Sequence, residues 1–564
     1  MKKACAEPWW STAEGRSQTQ KTSGTRENRP KSEVRPCETT TVRRESLPET
    51  SVASHLGAES ETPIVKRPQW GPAGRMRPVV NSFDIFDTLI ARRCIDAMRI
   101  HEIVEQKVAY PGYAKIRRSA EEAIAADDYT LEDIYRKIGE RQGIEASILE
   151  AMKLAEIETE LENVIPIADM MAKVRDGDIL VSDMYLGDVI IQRLLARAGF
   201  EKRVGIYVSP HGKATKSVWP KLLANLCIAR HWGDNRESDL TGPRAFGIPT
   251  RHVSISAPLQ AETWLMGIGL RDIALLCREG RLHEPAADPV ARQLLDIQAT
   301  LNFPMLLLAS IPLAHLIRAK SFKRVLFSSR DGELWLKLFT VIAKAIGLDC
   351  EVEYFYTSRM ARRFPSTHYL EYARDRLGEA TLVVDLCGTG WSLAHLSQSA
   401  GIDGCSIFLL AQYPKMEMYE KWSPTPQGCD YHSIIGPENA PIGNANLELA
   451  NQVPYGSMVD VRRIDGATVP IVDGDQRSER SLALVRRQNE IFSTLVDGLG
   501  RVDVKSLMES DDQLAAQAVG ALARQITVEG ILPATFFAEH AEEDAAVYDR
   551  LCDGAKEVTR EPSE

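Results

Sequence analysis

The run Val79-Val80-Asn81-Ser82-Phe83-Asp84 stays largely apolar until it reaches a carboxylate, and Thr88, Leu89 and Ile90 follow shortly after. A buried parallel strand reads this way when it hands an acid to the carboxyl end of a sheet, the edge where open α/β sheets bind their ligands. Asp84 thus stands where carboxylate chemistry is done, although a plain strand with Asp87 or Thr88 capping the next turn would read the same. Three later stretches also end in reactive groups. Asp178 to Leu186 is an apolar strand closing on Ser182 and Asp183. Arg203 to Val208 runs into Ser209-Pro210-His211-Gly212-Lys213-Ala214-Thr215-Lys216. His231-Trp232-Gly233-Asp234-Asn235-Arg236-Glu237-Ser238-Asp239 carries two spaced aspartates.

The elements between these stretches must hold them at one edge. From about 94 to 175 the chain is predicted to be helix after helix: Ala91 to Val108, Ala114 to Ala126, Thr130 to Gln142 and Ala146 to Glu162 repeat apolar residues every three or four positions. Thr130 with Asp133 has the form of a capping box. A helical insert between a first strand and the rest of an α/β domain makes a natural lid. Helices at Gly187 to Ala198 and around Trp219, Leu222 and Leu223, then a strand from Thr250 to Ser254, complete a doubly wound α/β domain ending near residue 275.

In this order, the four stretches resemble the haloacid dehalogenase-like (HAD) hydrolase superfamily across residues 78–275. The resemblance implies a Rossmannoid parallel sheet with a helical cap and hydrolysis of a phosphorylated small molecule. By the same resemblance Asp84 is the nucleophile that forms an aspartyl-phosphate. Ser182 binds the transferring phosphoryl oxygens. A lysine neutralises the charge: Lys216, which opens the next helix, with Lys213 as second choice. Asp84, Asp234, Asp239 and the backbone carbonyl of Phe86 hold Mg²⁺, with Asp183 as a further contact. One position departs from the pattern. Phosphatases of the superfamily place an acid/base aspartate two residues after the nucleophile, where this chain has Phe86. The next acid, Asp87, would face away from Asp84 in an extended segment, and only a turn would bring it back. The dehalogenase branch also has an aromatic residue there, but it does not need the acids at 234 and 239. Those acids favour Mg²⁺-dependent phosphoryl chemistry. A ligand-binding relative without turnover is the non-enzymatic alternative.

A second Rossmann-like α/β domain is predicted over 285–475, with a helical C-terminal region over 476–564. Ala299 to Ala319 reads as a buried helix. Strands at Arg324 to Ser328, Cys350 to Tyr356, Ala380 to Asp385 and Cys405 to Leu410 again end in polar residues. Residues 411–475 read as loops. Arg330, Asp331, Arg359 and Asp385 are expected to converge on one pocket that suits a phosphate or carboxylate. Asp385 to Ser392, with Thr389 and Gly390, resembles a phosphoribosyltransferase loop that cradles phosphate. It also resembles a methyltransferase turn one residue short, and it is equally readable as a ligand-free strand-to-helix turn. The segments Ser329-Arg330-Asp331-Gly332, Thr357-Ser358-Arg359 and Glu448 to Ser457 resemble the C-terminal half of bacterial HAD-like proteins. Some of those accompany glycosyltransferases, so the substrate class includes sugar phosphates. Phosphoribosyl or nucleotide-sugar chemistry in this half, with the first domain auxiliary, is the enzymatic alternative.

Composition bounds these readings. At 564 residues the chain is long enough for several domains of roughly 150 each. Its net charge of −10 argues against a general nucleic-acid partner. It leaves anionic substrates open, because a cation can supply local positive charge. The ten cysteines show no metal-ligand spacing and suit a reducing, cytoplasmic setting. No run of 18 apolar residues suggests membrane insertion. Residues 1–77 lack apolar periodicity and are expected to be disordered.

Overall fold

The fold follows from where the apolar runs stop. In the computed structural model the described residues are 77–124, 128–415, 425–440, 445–465, 467–475, 477–528 and Leu532. The N-terminal segment expected to be disordered lies outside them but for residue 77, and so does the acidic stretch around residues 539–544. The first strand, β1, is Val79–Phe83, and a short strand β2 follows at Ile90–Arg92. The chain then makes four helices: α1 (Ala97–Val108), α2 (Tyr113–Glu122), α3 (Leu131–Gln142) and α4 (Ala146–Asn163). The first starts later than the periodicity predicts because Ile90–Arg92 is extended. It pairs antiparallel with β3 (Val164–Pro166), forming a stem through which the helical insert leaves and returns. The capping box at α3 is present: the Asp133 N–H donates to Thr130 Oγ1, and the Thr130 N–H donates to the Asp133 carboxylate.

Strands β4 (Ile179–Ser182), β5 (Gly205–Val208), β6 (Cys227–Gly233) and β7 (Thr250–His252) join β1 in a five-stranded parallel sheet ordered β5-β4-β1-β6-β7. β1 is central and its register with β4 and β6 is parallel, so Asp84, Ser182 and Asp234 leave neighbouring strands at the same edge. The sequence reading did not mark β6 as a strand, since Arg230 and His231 interrupt its apolar pattern.

A second five-stranded parallel sheet is built from β8 (Arg324–Ser328), β9 (Glu351–Phe355), β10 (Thr381–Gly388), β11 (Cys405–Gln412) and β12 (Cys429–Ile435), in the order β12-β11-β10-β8-β9. An antiparallel hairpin of β13 (Met458–Ile464) and β14 (Ala467–Val472) follows. Residues 411–475 are therefore not only loops. β12 is a sheet strand whose polar Asp430 and His432 hide its pairing with β11. The apolar helix Phe303–Lys320 lies under this sheet with the C-terminal helices Glu479–Gly498 and Asp512–Ile526, sharing one core that includes Phe303, Phe492, Trp335 and Val519. Its most apolar window, within the helical run Pro289–Lys320, is 83% buried in the protein, as befits a core helix.

The helical insert is pinned by a buried ion pair. Arg117 Nε and Nη2 donate to the Glu156 carboxylate at 2.8 and 2.9 Å. Tyr135 and Tyr113 hydroxyls donate to Glu156 Oε2 at 2.8 and 3.0 Å. Tyr185, just past the end of β4, donates to Glu156 Oε1 at 3.3 Å. This ties the insert to the edge that carries Ser182. Burial alone would raise the Glu156 carboxyl, but Arg117 outweighs it and holds it down to about 2. A depressed carboxyl contributes stability above its ordinary value of 4.5 and loses it as pH falls through about 2. Breaking one side of a buried pair leaves an uncompensated charge. Glu156→Ala should therefore destabilise the protein by about 3–5 kcal/mol at neutral pH, with the difference from wild type shrinking in acid. Chemical denaturation at two pH values checks this, and equal stability of the two proteins at neutral pH would refute it.

Candidate functional site

Asp84 continues β1 as its N–H donates to the Trp232 carbonyl at 2.8 Å, which keeps it locked beside β6. Its side chain is 5% exposed and makes two side-chain hydrogen bonds. Thr88 Oγ1 donates to Oδ2 at 3.2 Å, and Lys213 Nζ donates to Oδ1 at 2.5 Å. The same ammonium donates to Asp239 Oδ1 at 2.6 Å, so Lys213 bridges the two acids. Ligand oxygens of Asp84, Asp234 and Asp239 lie within 4.8 Å of one another.

Lys213 reaches this position because its loop is clamped. Both oxygens of Asp183, next to Ser182, accept backbone N–H groups of that loop: Lys213 N at 2.7 Å and Ala214 N at 2.8 Å. Lys216, the first choice from sequence, is not the lysine at Asp84. It sits three residues on in a left-handed turn with φ of 64°, ahead of the helix Val218–Asn225. The expectation of a helix-opening lysine fails because the loop turns back at Lys213, before the helix begins.

Asp239 is fully buried and already well supplied. Oδ1 accepts from Lys213 and faces His231 Nε2 at 3.2 Å, and Oδ2 accepts the Asn235 N–H at 3.0 Å. His231 is itself buried, with Nδ1 2.8 Å from Ser82 Oγ. Burial lowers its pKa, so the ring is neutral, and the tautomer that gives Asp239 a hydrogen takes one from Ser82. A chain of polar contacts thus runs Ser82–His231–Asp239–Lys213–Asp84. His231 escaped the sequence reading; the only signal was a polar residue inside an otherwise buried strand. Asp239 acts first as the anchor of Lys213, and Asp84 and Asp234 carry the less engaged oxygens.

The electrostatics show what the cluster lacks. Burial, together with Asp239 and Asp234, pushes the Asp84 carboxyl well above its ordinary range against the pull of Lys213. Burial, Asp87 and Asp239 push Asp234 up to about 6. Burial would raise Asp239 too, but hydrogen bonds from His231 and Lys213 hold it low. Burial disfavours a charged Lys213, yet Asp84 and Asp239 outweigh it and raise its pKa. Three acids face one ammonium, and the surplus negative charge lifts the two acids that Lys213 does not fully satisfy. An all-oxygen donor set with surplus charge could hold a hard divalent cation such as Mg²⁺.

Phe86 and Asp87 depart from a straight strand. The N–H groups of Leu89 and Ile90 both return to the Ile85 carbonyl, and Asp87 has φ of 57°. This turn rolls the Phe86 ring under Arg92, whose guanidinium lies 4.4 Å from the ring centroid. It also brings Asp87 within electrostatic reach of Asp234, and an Arg278 nitrogen lies 3.8 Å from its carboxylate. Asp87 therefore does not point away from the site. Ser182 ends β4, 3% exposed, beside Asp183.

In the second sheet Asp385 pairs with Arg362 at 3.0 Å, not with Arg359. Arg359 opens a short helix whose cap is Ser358, and it is exposed. Arg362, almost one turn later, is buried and reaches Thr357, Asp385 and Ser392. Arg330 and Asp331 occupy the loop after β8, and Thr389 and Gly390 the loop after β10, at the carboxyl edge of that sheet.

Comparison of this chain with known protein families and with curated proteins finds no match to either.

Proposed function

We propose that the first sheet carries a Mg²⁺-dependent, HAD-like phosphohydrolase site. The observation that carries the reading is the bridge of Lys213 between Asp84 and Asp239 beside Asp234. It joins a buried carboxylate nucleophile, a cation beside it and an all-carboxylate pocket, at the end of a central parallel strand. In this reading Asp84 Oδ2 attacks phosphorus, the phosphorus–oxygen bond to the leaving group breaks, and an aspartyl-phosphate forms on Asp84. Lys213 offsets the charge on Asp84 and the phosphoryl oxygens, and Ser182 donates to those oxygens. Asp183 holds the Lys213 loop in place. A bound Mg²⁺, held by Asp84, Asp234 and the Phe86 carbonyl, supplies Lewis-acid charge stabilisation. Water then attacks the acyl phosphate and releases inorganic phosphate, restoring Asp84. The substrate is a phosphorylated small molecule admitted under the helices α1 to α4.

Phe86 cannot exchange a proton with the leaving group, and Asp87 is the carboxylate that can. General acid/base help is worth roughly 10²–10⁴-fold, and it matters most when the leaving group is a poor one. Asp87→Asn should cut turnover of alkyl phosphates by that order while leaving an activated aryl phosphate within a few-fold. Equal losses on both substrates would remove Asp87 from the proton transfer. The reading as a whole is tested by phosphate release from a panel of phosphorylated metabolites and an aryl phosphate, with Mg²⁺ and with EDTA. Release that is insensitive to EDTA, or absent from folded protein on every compound, would overturn it.

A further inference from the structure

The second sheet carries a polar edge that the reaction above does not use. Its strand order reverses between β8 and β10. In open parallel sheets this is where the outgoing loops part to opposite faces and leave a crevice. Both loops there are tight. After β8, Gly332 donates its N–H to the Ser328 carbonyl at 3.0 Å, and a Cβ on Gly332 would stand 2.4 Å from that oxygen. After β10, Gly390 has φ of 72°, and a Cβ there would stand 2.6 Å from the Tyr431 ring.

The helices Glu333–Ile346 and Trp391–Ser399 spring directly from these loops. Gly332 and Gly390 occupy their cap positions, and neither helix has a side-chain cap. Two helix N-termini, each the positive end of a dipole, open on one edge. Cations gather at the second. Arg363 and Lys415 lie 5.4 and 4.9 Å from the centroid of the Trp391 ring, and Arg362 Nη1 is 3.4 Å from Ser392 Oγ.

A separate observation points to a ligand with hydroxyls. Ser328 is fully buried, and its Oγ has no hydrogen-bond partner. Leu326 and Val383 share one core, and Phe327 pairs with Val384. Strand alternation therefore sets Ser328 beside Asp385 on the face that carries Arg362 and the helix Trp391–Ser399. A buried hydroxyl without a partner is unfavourable, and a ligand oxygen seated between these strands would satisfy it. Asp331 and Glu448 add acceptors nearby: both, with Asp385, act on the Cys387 thiol.

We propose that this edge binds a phosphorylated sugar, either free or as the ribose phosphate of a nucleotide. The phosphate rests on Thr389 and the first turn of Trp391–Ser399. The sugar hydroxyls meet Asp385 and Ser328. This site is separate from the Asp84 site and does not depend on its chemistry.

The test is calorimetric titration of the full chain in EDTA, which withholds any divalent cation from the acidic cluster around Asp84. The probes are ribose 5-phosphate, glucose 1-phosphate, uridine monophosphate, ribose and inorganic phosphate. The expected result is saturable binding of at least one phosphorylated sugar, tighter than ribose or inorganic phosphate. The first two probes against the third separate a free sugar phosphate from a nucleotide. Thr389→Val and Ser328→Val keep shape and remove one hydroxyl each, and each should weaken binding by about tenfold. The proposal is overturned by no saturation at millimolar ligand, by inorganic phosphate binding as tightly as its sugar esters, or by affinities that both variants leave intact. Loss of the binding in Asp84→Asn would also overturn it, by placing the ligand in the first domain.

Discussion

Asp84→Asn should abolish metal-dependent phosphate release, lowering kcat by on the order of 10⁴-fold or more, as removal of a covalent nucleophile does. The amide keeps the shape of the side chain and can still accept from Thr88, so the strand and its turn need not move. What is lost is the negative oxygen that attacks phosphorus. The same change should make the cation-free protein more stable. Asp84 is buried with Asp234 and Asp239, and its carboxyl is pushed up because ionising it there is costly. With Asn at 84, Lys213 still pairs with Asp239 at 2.6 Å, and one uncompensated charge is gone. Gains of about 0.5–2 kcal/mol are common when a strained functional group is removed. Thermal unfolding in EDTA and phosphate release with Mg²⁺, measured on the same preparations, check both halves. An inactive variant with an unchanged or lower Tm in EDTA would mean the acids are not in conflict. Turnover at the wild-type rate would take the nucleophile's role away from Asp84.

Much of this frame was legible because parallel strands buried on both faces leave uninterrupted apolar runs. The strands around Asp84, Ser182, Ser328 and Asp385 all announce themselves this way. β6 did not. Its Arg230 is exposed at one end of the ladder, and His231 is buried because it has partners in Ser82 and Asp239 that lie 149 and 8 residues away. Polar pairing across such distances has no local signature. The choice between Lys213 and Lys216 failed for a related reason. Spacing says which lysine is near a helix start, but the backbone hydrogen bonds from the loop to Asp183 decide which one reaches the acid. Arg359 and Arg362 repeat the lesson, since which of them turns inward depends on the Ser358 cap and on Thr357. The turn at Asp87 was open in sequence terms. An aspartate tolerates φ of 57° better than most residues, yet it equally tolerates a strand end.

The two lysines give the sharpest remaining contrast. Lys213→Met keeps the aliphatic stem in a 3% exposed slot and removes only the charge. Losing one preorganised electrostatic partner of a developing anion costs about 10²–10³ in kcat, so that loss is expected here. Lys216→Met should stay within a few-fold of wild type, because Lys216 lies outside the bridge to Asp84. Stability adds a second readout that activity cannot mimic. Without the ammonium, three acids with ligand oxygens inside 4.8 Å face one another unopposed. Stranding buried charge of this kind is worth about 3–5 kcal/mol before proton uptake relieves it. Mg²⁺ should then rescue the variant, raising its Tm by more than it raises that of the wild type, since a cation is the one group that can replace both missing contacts. A larger loss of activity in Lys216→Met than in Lys213→Met would reassign the lysine. Equal Tm responses to Mg²⁺ in Lys213→Met and wild type would show that the three carboxylates do not share a cation.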